Sequence, residues 1–391
     1  MFNVNLQLSK CCNVFHFSLM PSEYVYLKKI RLLQYLLRMA DGGAPNIPIR
    51  PKVTTINSSF VQYTFADPLL LVFGRMMARP SLPEFVPTLL DPKSLKTARN
   101  AITNSDLVQI ETMWMFDWVQ RNTLKRKPMV LWEEDVVCKL HQNRYSEEIT
   151  RIIREKEERA VTRADAIVVV SKEDQDTLCS QYEIERSKIH FVPHGIDTSE
   201  VKPPSEREKT DIKAKLGFSG KTVVLFTGCS HFANAMAIGA VRNIATKMRR
   251  DDVLFLVAGT VGERVQRQAI RNVRYTGYVT DIRPYFRLAD IAINPVLTVG
   301  GVNTKMIEYL AYGLPTVTTS IGLKGLSFQN GKHVVISSID GFPEKIEELA
   351  SNNEMRQRLG EEGRMAVQNC HDLQTIGRVV LGIYRRVLAQ C

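Results

Sequence analysis

Val299-Gly300-Gly301-Val302-Asn303-Thr304-Lys305-Met306-Ile307-Glu308-Tyr309-Leu310-Ala311-Tyr312-Gly313-Leu314-Pro315-Thr316-Val317-Thr318-Thr319 is the stretch on which the reading of the chain turns. It runs as a glycine loop, a short helix, a Gly-Leu-Pro stop and a β-branched strand. The paired glycines let backbone pass close to a ligand. The first turn of the helix then offers unpaired N–H groups and the positive end of its dipole to an anion. Lys305 and Glu308 lie three residues apart and share a face near that helix start. A cation suits a phosphate, and a carboxylate suits a pair of sugar hydroxyls, as an acidic residue reads ribose in dinucleotide folds. Phosphate with ribose spells nucleotide. The plainer alternative is an αβ turn carrying a surface glutamate.

Working outward, strand and helix patterns alternate regularly on both sides of this stretch. Strands are expected at 222–228, 253–259, 273–279, 290–296, 316–319 and 334–337. Helices are expected from the first of these strands to about residue 250, near 262–270, and over 281–289. Three more helices, at 340–351, 354–369 and 372–389, close the chain and carry no ligand-like chemistry. Such alternation implies a parallel doubly wound sheet, which binds ligands beyond the carboxyl ends of its strands. Upstream, 105–111 reads as a buried strand and 127–135 as a strand running into an acidic loop. Residues 147–163 form a charged helix, and 163–174 opens on a continuous β-branched run suited to a strand buried on both faces. Residues 198–215, rich in proline and charge, read as a linker.

A chain of 391 residues is long enough for two domains, and 44% apolar with 24% charged residues is the composition of a soluble globular protein. No apolar run approaches the roughly eighteen residues of a membrane span. The opening Met1-Phe2-Asn3-Val4-Asn5 lacks a basic region followed by an apolar one, so no secretory signal is expected. Seven cysteines, an odd number that includes the adjacent Cys11 and Cys12, read as reduced thiols in a cytoplasmic protein. No DxD, HExxH or paired CxxC motif is read as marking a metal, and no metal or cofactor is expected. Residues 1–100 hold twelve Lys and Arg against five Asp and Glu. That excess favours an anionic membrane face, a phosphorylated acceptor or nucleic acid, or is simply solubilising charge. Residues 24–39 read as a basic amphipathic helix, apolar at Leu27, Ile30, Leu33 and Leu37, which either packs on a sheet or touches lipid. No recognition module accompanies the charge, so nucleic acid is not expected as a partner.

Several of these motifs resemble the family-four type (glycosyl transferases group 1) of retaining glycosyltransferases with the GT-B fold. The carriers are Lys305 to Thr319, the run Arg163-Ala164-Asp165-Ala166-Ile167-Val168-Val169-Val170-Ser171, and the strand and turn Phe191-Val192-Pro193-His194-Gly195-Ile196-Asp197. The resemblance implies an α/β fold of two Rossmann-like doubly wound parallel-sheet domains facing across a cleft. It places an acceptor-side domain over 1–197, a nucleotide-sugar domain over 198–371, and a last helix over 372–391 packing back across both. It makes Glu308 the ribose ligand. Gly300, Gly301, Val302, Asn303, Thr304 and Lys305 become the phosphate loop, and Tyr278 and Val279 part of the loop whose backbone reads the base. Around Phe226-Thr227-Gly228-Cys229-Ser230-His231-Phe232-Ala233-Asn234, it implies that Gly228, Ser230, His231 and Asn234 meet the donor. The commoner family version carries an Arg where this chain has Cys229 and a Lys where it has Asn234, and a Glu where it has Gly300. His231 as a phosphate contact competes with a cleft-lining role, and His194 as an acid–base group competes with a turn role.

On the acceptor side, Glu111, Glu133, Glu134 and Asp135 can bind acceptor hydroxyls or accept a proton, or else form a solvated loop. Glu111, Glu134 and Asp135 are the catalytic candidates. The resemblance implies transfer on one face of the sugar, in which the leaving diphosphate helps take the acceptor's proton and no metal is required. The implied partners are a nucleotide-diphosphate sugar as co-substrate, a glycan, lipid-linked or small-molecule acceptor, and an anionic cytoplasmic membrane face. Two other functions fit the same pattern: a nucleotide-sugar epimerase of this fold, and a non-catalytic or partner-dependent binder of nucleotide sugars.

Overall fold

The computed structural model describes residues 14–19, 52–57, 60–65, 99–111, 113–123, 126–141, 147–229, 232–262, 270–298 and 301–390. The expected basic helix at 24–39 lies outside them, as do Cys11, Cys12, Ser230, His231, Gly300 and most of the helix expected near 262–270. Among the described residues, no helix is long and apolar enough to cross a membrane. The chain divides into two compact units, Met1–Val192 with Gly377–Cys391, and Pro193–Ile376.

The first unit contains a small sheet in which β1 (Val14–Leu19) runs parallel to β3 (Phe60–Phe65), itself antiparallel to β2 (Lys52–Asn57). Its main sheet holds β4 (Val108–Glu111), β5 (Met129–Glu133), β6 (Ala166–Val169) and β7 (Ile189–Phe191), all parallel and in that spatial order. β5 and β6 are buried at every position, so their sequences are continuous rather than alternating. Around the sheet lie α1 (Phe116–Arg121), α2 (Val137–His141), α3 (Glu147–Arg163) and α4 (Lys172–Tyr182). Phe116, Leu131, Ile153, Ile167 and Leu178 form the centre of one core that joins helices to sheet. The Ser171 hydroxyl accepts from the Asp174 N–H and so starts α4.

The second unit begins with α5 (Glu206–Leu216), which corrects the reading of 198–215 as a linker. Ser205 and Glu208 form a reciprocal capping box, and Gly217, at φ 78°, ends the helix in the left-handed region. The charges that suggested solvated coil include Lys209 and Lys213, which clamp Asp290 from the helix side at 3.2 and 2.5 Å. There follow β8 (Thr222–Thr227), α6 (Phe232–Lys247), β9 (Val253–Ala258), β10 (Val273–Tyr275) and α7 (Arg283–Leu288). Then come β11 (Ile291–Asn294), α8 (Thr304–Ala311), β12 (Thr316–Thr318), β13 (Val335–Ile336), α9 (Phe342–Ser351) and α10 (Asn353–Cys370). The final α11 (Leu373–Ala389) carries the chain past residue 376 into the first unit's residues. β10 is shorter than the expected 273–279 because Gly277, at φ 66°, turns the backbone out of the strand.

All six strands run parallel, in the spatial order β10-β9-β8-β11-β12-β13. The chain therefore builds outward from β8 to one edge, then returns to β11 and builds to the other. Both parallel sheets with their helices are Rossmann-like, and in the second the order reverses between β8 and β11. At that switch point the loops after the two strands part in opposite directions and leave a crevice at the carboxyl ends. Two cores sandwich this sheet. Val224, Phe226, Phe255 and Ile293 face α6 and α9, whereas Val223, Leu225, Leu256 and Ala292 face the side that holds Tyr309 and Leu310.

Candidate functional site

α8 leaves the crevice at the switch point. Met306, Ile307, Tyr309, Leu310 and Ala311 bury its inner face, each larger side chain contributing about 1.5–3 kcal/mol by removal from water. Tyr309 is fully buried, and its hydroxyl accepts from the Thr227 N–H at 2.8 Å and lies 3.1 Å from the Thr227 hydroxyl. This joins α8 to the last residue of β8. At the other end Gly313, at φ 70°, donates to Leu310 O while Leu314 donates to Tyr309 O, a paired closure that a left-handed residue permits. Pro315 then blocks continuation.

The amino end of α8 is uncapped: Asn303 precedes it without a capping bond, and among the described residues no side chain bonds the first-turn N–H groups. The Asn303 amide instead donates to Asn294 Oδ1 at 3.2 Å, and Asn294, fully buried at the end of β11, donates to Thr318 Oγ1 and Gly322 O. The sheet thus draws the natural cap away from the helix.

Lys305 and Glu308 are both half-buried beside this helix start. The Lys305 Nζ donates to Asn234 Oδ1 at 2.6 Å and sits 4.4 Å from the Phe226 ring centroid. Burial holds its pKa down, to about 8, against the opposing pull of Cys229 and Glu308. Burial pushes the Glu308 carboxyl up, and Lys305 pulls it partly back. Among the described residues the Glu308 carboxylate accepts no hydrogen bond, which leaves both oxygens for hydroxyl donors.

The loop after β8 approaches the neighbouring loop closely. Gly228 donates to Ala258 O, and a Cβ on Gly259, at φ 107°, would stand 2.4 Å from the Gly228 carbonyl. Glycine at 259 is therefore required by contact as well as by φ. Gly228, Asn234, Lys305 and Glu308 come together on the β8 and β11 sides of the switch point, with Gly301, Val302 and Asn303 half-buried and Thr304 exposed on the approach to α8. Tyr278, 71% exposed, and Val279 line a groove of about 340 Å³ with Leu216, Asp281 and Tyr285.

In the first unit, Glu111 ends β4 and Glu133 ends β5, and the register pairs Glu111 with Trp132, so the candidate acids share one carboxyl edge. Glu111 and Glu134 are exposed and Asp135 is half-buried. Glu133 corrects the reading of a solvated loop. It is 2% exposed, and burial, then the nearby Glu157, push its carboxyl well above the usual range despite a bond from the Met113 backbone. Glu157 is itself fully buried on α3, accepting from the Val137 N–H at 2.6 Å and the Tyr182 hydroxyl at 2.5 Å. His194 contributes a backbone carbonyl that accepts from the buried His371 Nδ1 at 2.7 Å.

Sequence reasoning passed over Asn294, Tyr309 and Phe226. Asn294 had a signal, a polar residue closing the apolar run Ile291-Ala292-Ile293. It also passed over Asp174-Gln175-Asp176, which has D-x-D spacing. In the structure these lie on α4, where Asp174 meets the Ser171 hydroxyl and Asp176 pairs with Arg186. Among the described residues, no three His, Cys, Asp or Glu side chains cluster as metal ligands would.

Residues 58–200 match the model of Glycosyltransferase Family 4, and residues 221–352 match that of Glycosyl transferases group 1. The spore coat protein SA of Bacillus subtilis (strain 168) is 23% identical over 243 residues, which are 56% of this chain and 64% of that protein. In each of four curated relatives, the matched part is less than two thirds of the relative's length. Among solved structures, a sucrose-phosphate synthase from Thermosynechococcus elongatus superimposes with a TM-score of 0.68 at 16% identity, covering 98% of both chains. Anabaena HepE in complex with UDP-glucose gives 0.62 at 14% identity, covering 83% of this chain and 86% of that one. The chain thus carries a Glycosyltransferase Family 4 domain followed by a Glycosyl transferases group 1 domain, in the GT-B fold of glycosyltransferases.

Proposed function

We propose that this protein is a retaining glycosyltransferase that moves a sugar from a nucleotide-diphosphate sugar to an acceptor hydroxyl without a metal. The observation that carries the reading is the uncapped amino end of α8, flanked by the Lys305 cation and the unbonded Glu308 carboxylate on one face. The chain's family and the UDP-glucose held by HepE support the same class of donor. In this reading the bond from the anomeric carbon to the phosphate oxygen breaks, and a bond to the acceptor oxygen forms on the same face. The acceptor proton passes to the leaving diphosphate.

The α8 amides and Lys305 take up the charge that develops on that diphosphate, where preorganised donors act most strongly. Glu308 accepts from the ribose hydroxyls, Gly228 and Gly301 allow close backbone approach, and the backbone at Tyr278 and Val279 meets the base. Ser230, His231 and Gly300, outside the described residues, are proposed as further donor contacts. Glu111, Glu134 and Asp135 orient the acceptor, a glycan, a lipid-linked sugar or a small molecule. The protein works in the cytoplasm, its basic N-terminal quarter facing anionic membrane.

A thermal-shift screen of nucleoside diphosphates and nucleotide sugars tests the donor. One base class should raise Tm, by linkage to binding. Free nucleoside diphosphate should then appear only when an acceptor is added, which separates transfer from epimerisation. A screen with no shift for any nucleotide sinks the proposal. The second reading is a partner-dependent binder without its own activity, favoured by Cys229 and Asn234 standing where a cationic pair is expected. Donor turnover by the wild type that disappears in Glu308→Ala argues against it.

A further inference from the structure

We propose that Asn234 is a positioning residue for the donor phosphates, acting through Lys305 and not on the donor itself. The inference rests on the donor reading above. Both ends of the Asn234 amide are engaged: Oδ1 accepts from Lys305 at 2.6 Å, and Nδ2 donates to the Cys229 carbonyl at 3.1 Å. Asn234 lies in the first turn of α6, and Lys305 in the first turn of α8, so the bond ties the helices that leave β8 and β11. Between them the ammonium rests on the Phe226 face, a cation–π contact from below. Among the described residues Lys305 makes no ion pair and donates one hydrogen bond, to Asn234, which leaves two of its three donor hydrogens for an anion.

A free lysine stem samples many rotamers, and a cation at the edge of a crevice swings toward water. Pinned between an amide and a ring, it is already oriented when phosphate arrives, which removes an ordering cost from binding. At the position where the resemblance expects a further cation, this chain instead has a holder for Lys305. Charge has been exchanged for orientation. Glu308 on α8 and Cys229 on the β8 loop are the titratable groups among the described residues that act on Lys305.

The test is calorimetric titration of the full chain with UDP, GDP and ADP, carried forward with the tightest. Asn234→Ala and Lys305→Ala should each weaken binding about tenfold, the scale of a charge-assisted hydrogen bond. The double variant should bind no worse than Lys305→Ala alone, since the amide acts only through the lysine. Additive losses, or an unchanged affinity in Asn234→Ala, overturn the proposal while leaving the donor site standing. Binding of none of the three by the wild type overturns the donor reading, and this inference with it. Asn234→Asp, nearly isosteric, should weaken binding at neutral pH yet move the alkaline fall-off of affinity upward by about one pH unit, because a carboxylate holds the lysine charged. A fall-off that does not move is evidence against positioning.

Discussion

The carboxyl edges of the two parallel sheets are furnished in opposite ways. In the second unit, the polar groups at the strand ends are tied to one another. Thr227 is bonded to Tyr309, Asn294 to Thr318 and Asn303, and Asn234 to Lys305. In the first unit, the edge carries acids: Glu111 and Glu134 are exposed, Asp135 is half-buried, and Glu133 is shut inside. One edge is built to hold a single cation and a row of backbone donors in place, and the other presents acceptors of hydrogen bonds. An invariant phosphate needs fixed geometry, whereas hydroxyl-rich acceptors need carboxylates within reach, so the contrast is what the proposed division of labour between donor and acceptor calls for.

The largest effect that sharpens this contrast is expected at Glu308. Glu308→Ala should lower kcat/KM for transfer by about a hundredfold, as loss of an orienting contact to a bound substrate does. Thermal stability should stay near wild type, because among the described residues the carboxylate bonds nothing that its loss would orphan. Equal kinetics in the variant would break the comparison outright.

Next comes pH. In the donor site proposed above, nucleoside diphosphate would bind the charged form of Lys305, whose pKa burial lowers to about 8. Affinity should therefore change little just below that pH and fall by up to about tenfold per unit above it, levelling off once pH passes the raised pKa of the lysine in the complex. A profile level through pH 9.5 contradicts the electrostatic account of the second unit's edge.

Smaller is the effect of Tyr309→Phe. It strands the buried Thr227 N–H and should destabilise the protein by about 1–3 kcal/mol, read by denaturant unfolding. The smallest is Glu133→Gln in the first unit. Since the folded-state carboxyl is raised, its stabilising contribution is complete below the ordinary carboxylate pKa and lost as pH rises through the raised one. The glutamine variant should match wild type in acid and exceed it, by about 1 kcal/mol, once wild-type Glu133 is forced to ionise. Identical pH–stability curves would mean that the buried acid is satisfied where it sits.

What the chain discloses in one dimension follows from the range of the forces involved. The β-branched runs, the helix stop at Gly313-Leu314-Pro315 and the anion-suited start of α8 are local, and the structure places all of them close to where spacing puts them. The membership of a parallel sheet is equally legible in Val253 to Ala258, apolar without alternation. Charge misleads more easily. Lys209 and Lys213 look like solvated coil and are helical clamps on Asp290, while Glu157, in a helix of interleaved Glu and Arg, is buried against Tyr182. A formal charge does not reveal whether a partner distant in sequence will meet it. The tie between Asn234 and Lys305 spans 71 positions, and only the strand order brings it about.

The bond from the Thr227 amide to the Tyr309 hydroxyl gives the protein a built-in reporter. That amide proton is sealed by a side chain of the helix proposed to receive the donor, so it should exchange with solvent only when α8 lifts from the sheet. An occupant that binds only while α8 is seated should slow this exchange by the factor 1 + [L]/Kd. A single backbone hydrogen can then register occupancy for any candidate molecule, with no turnover and no knowledge of the acceptor.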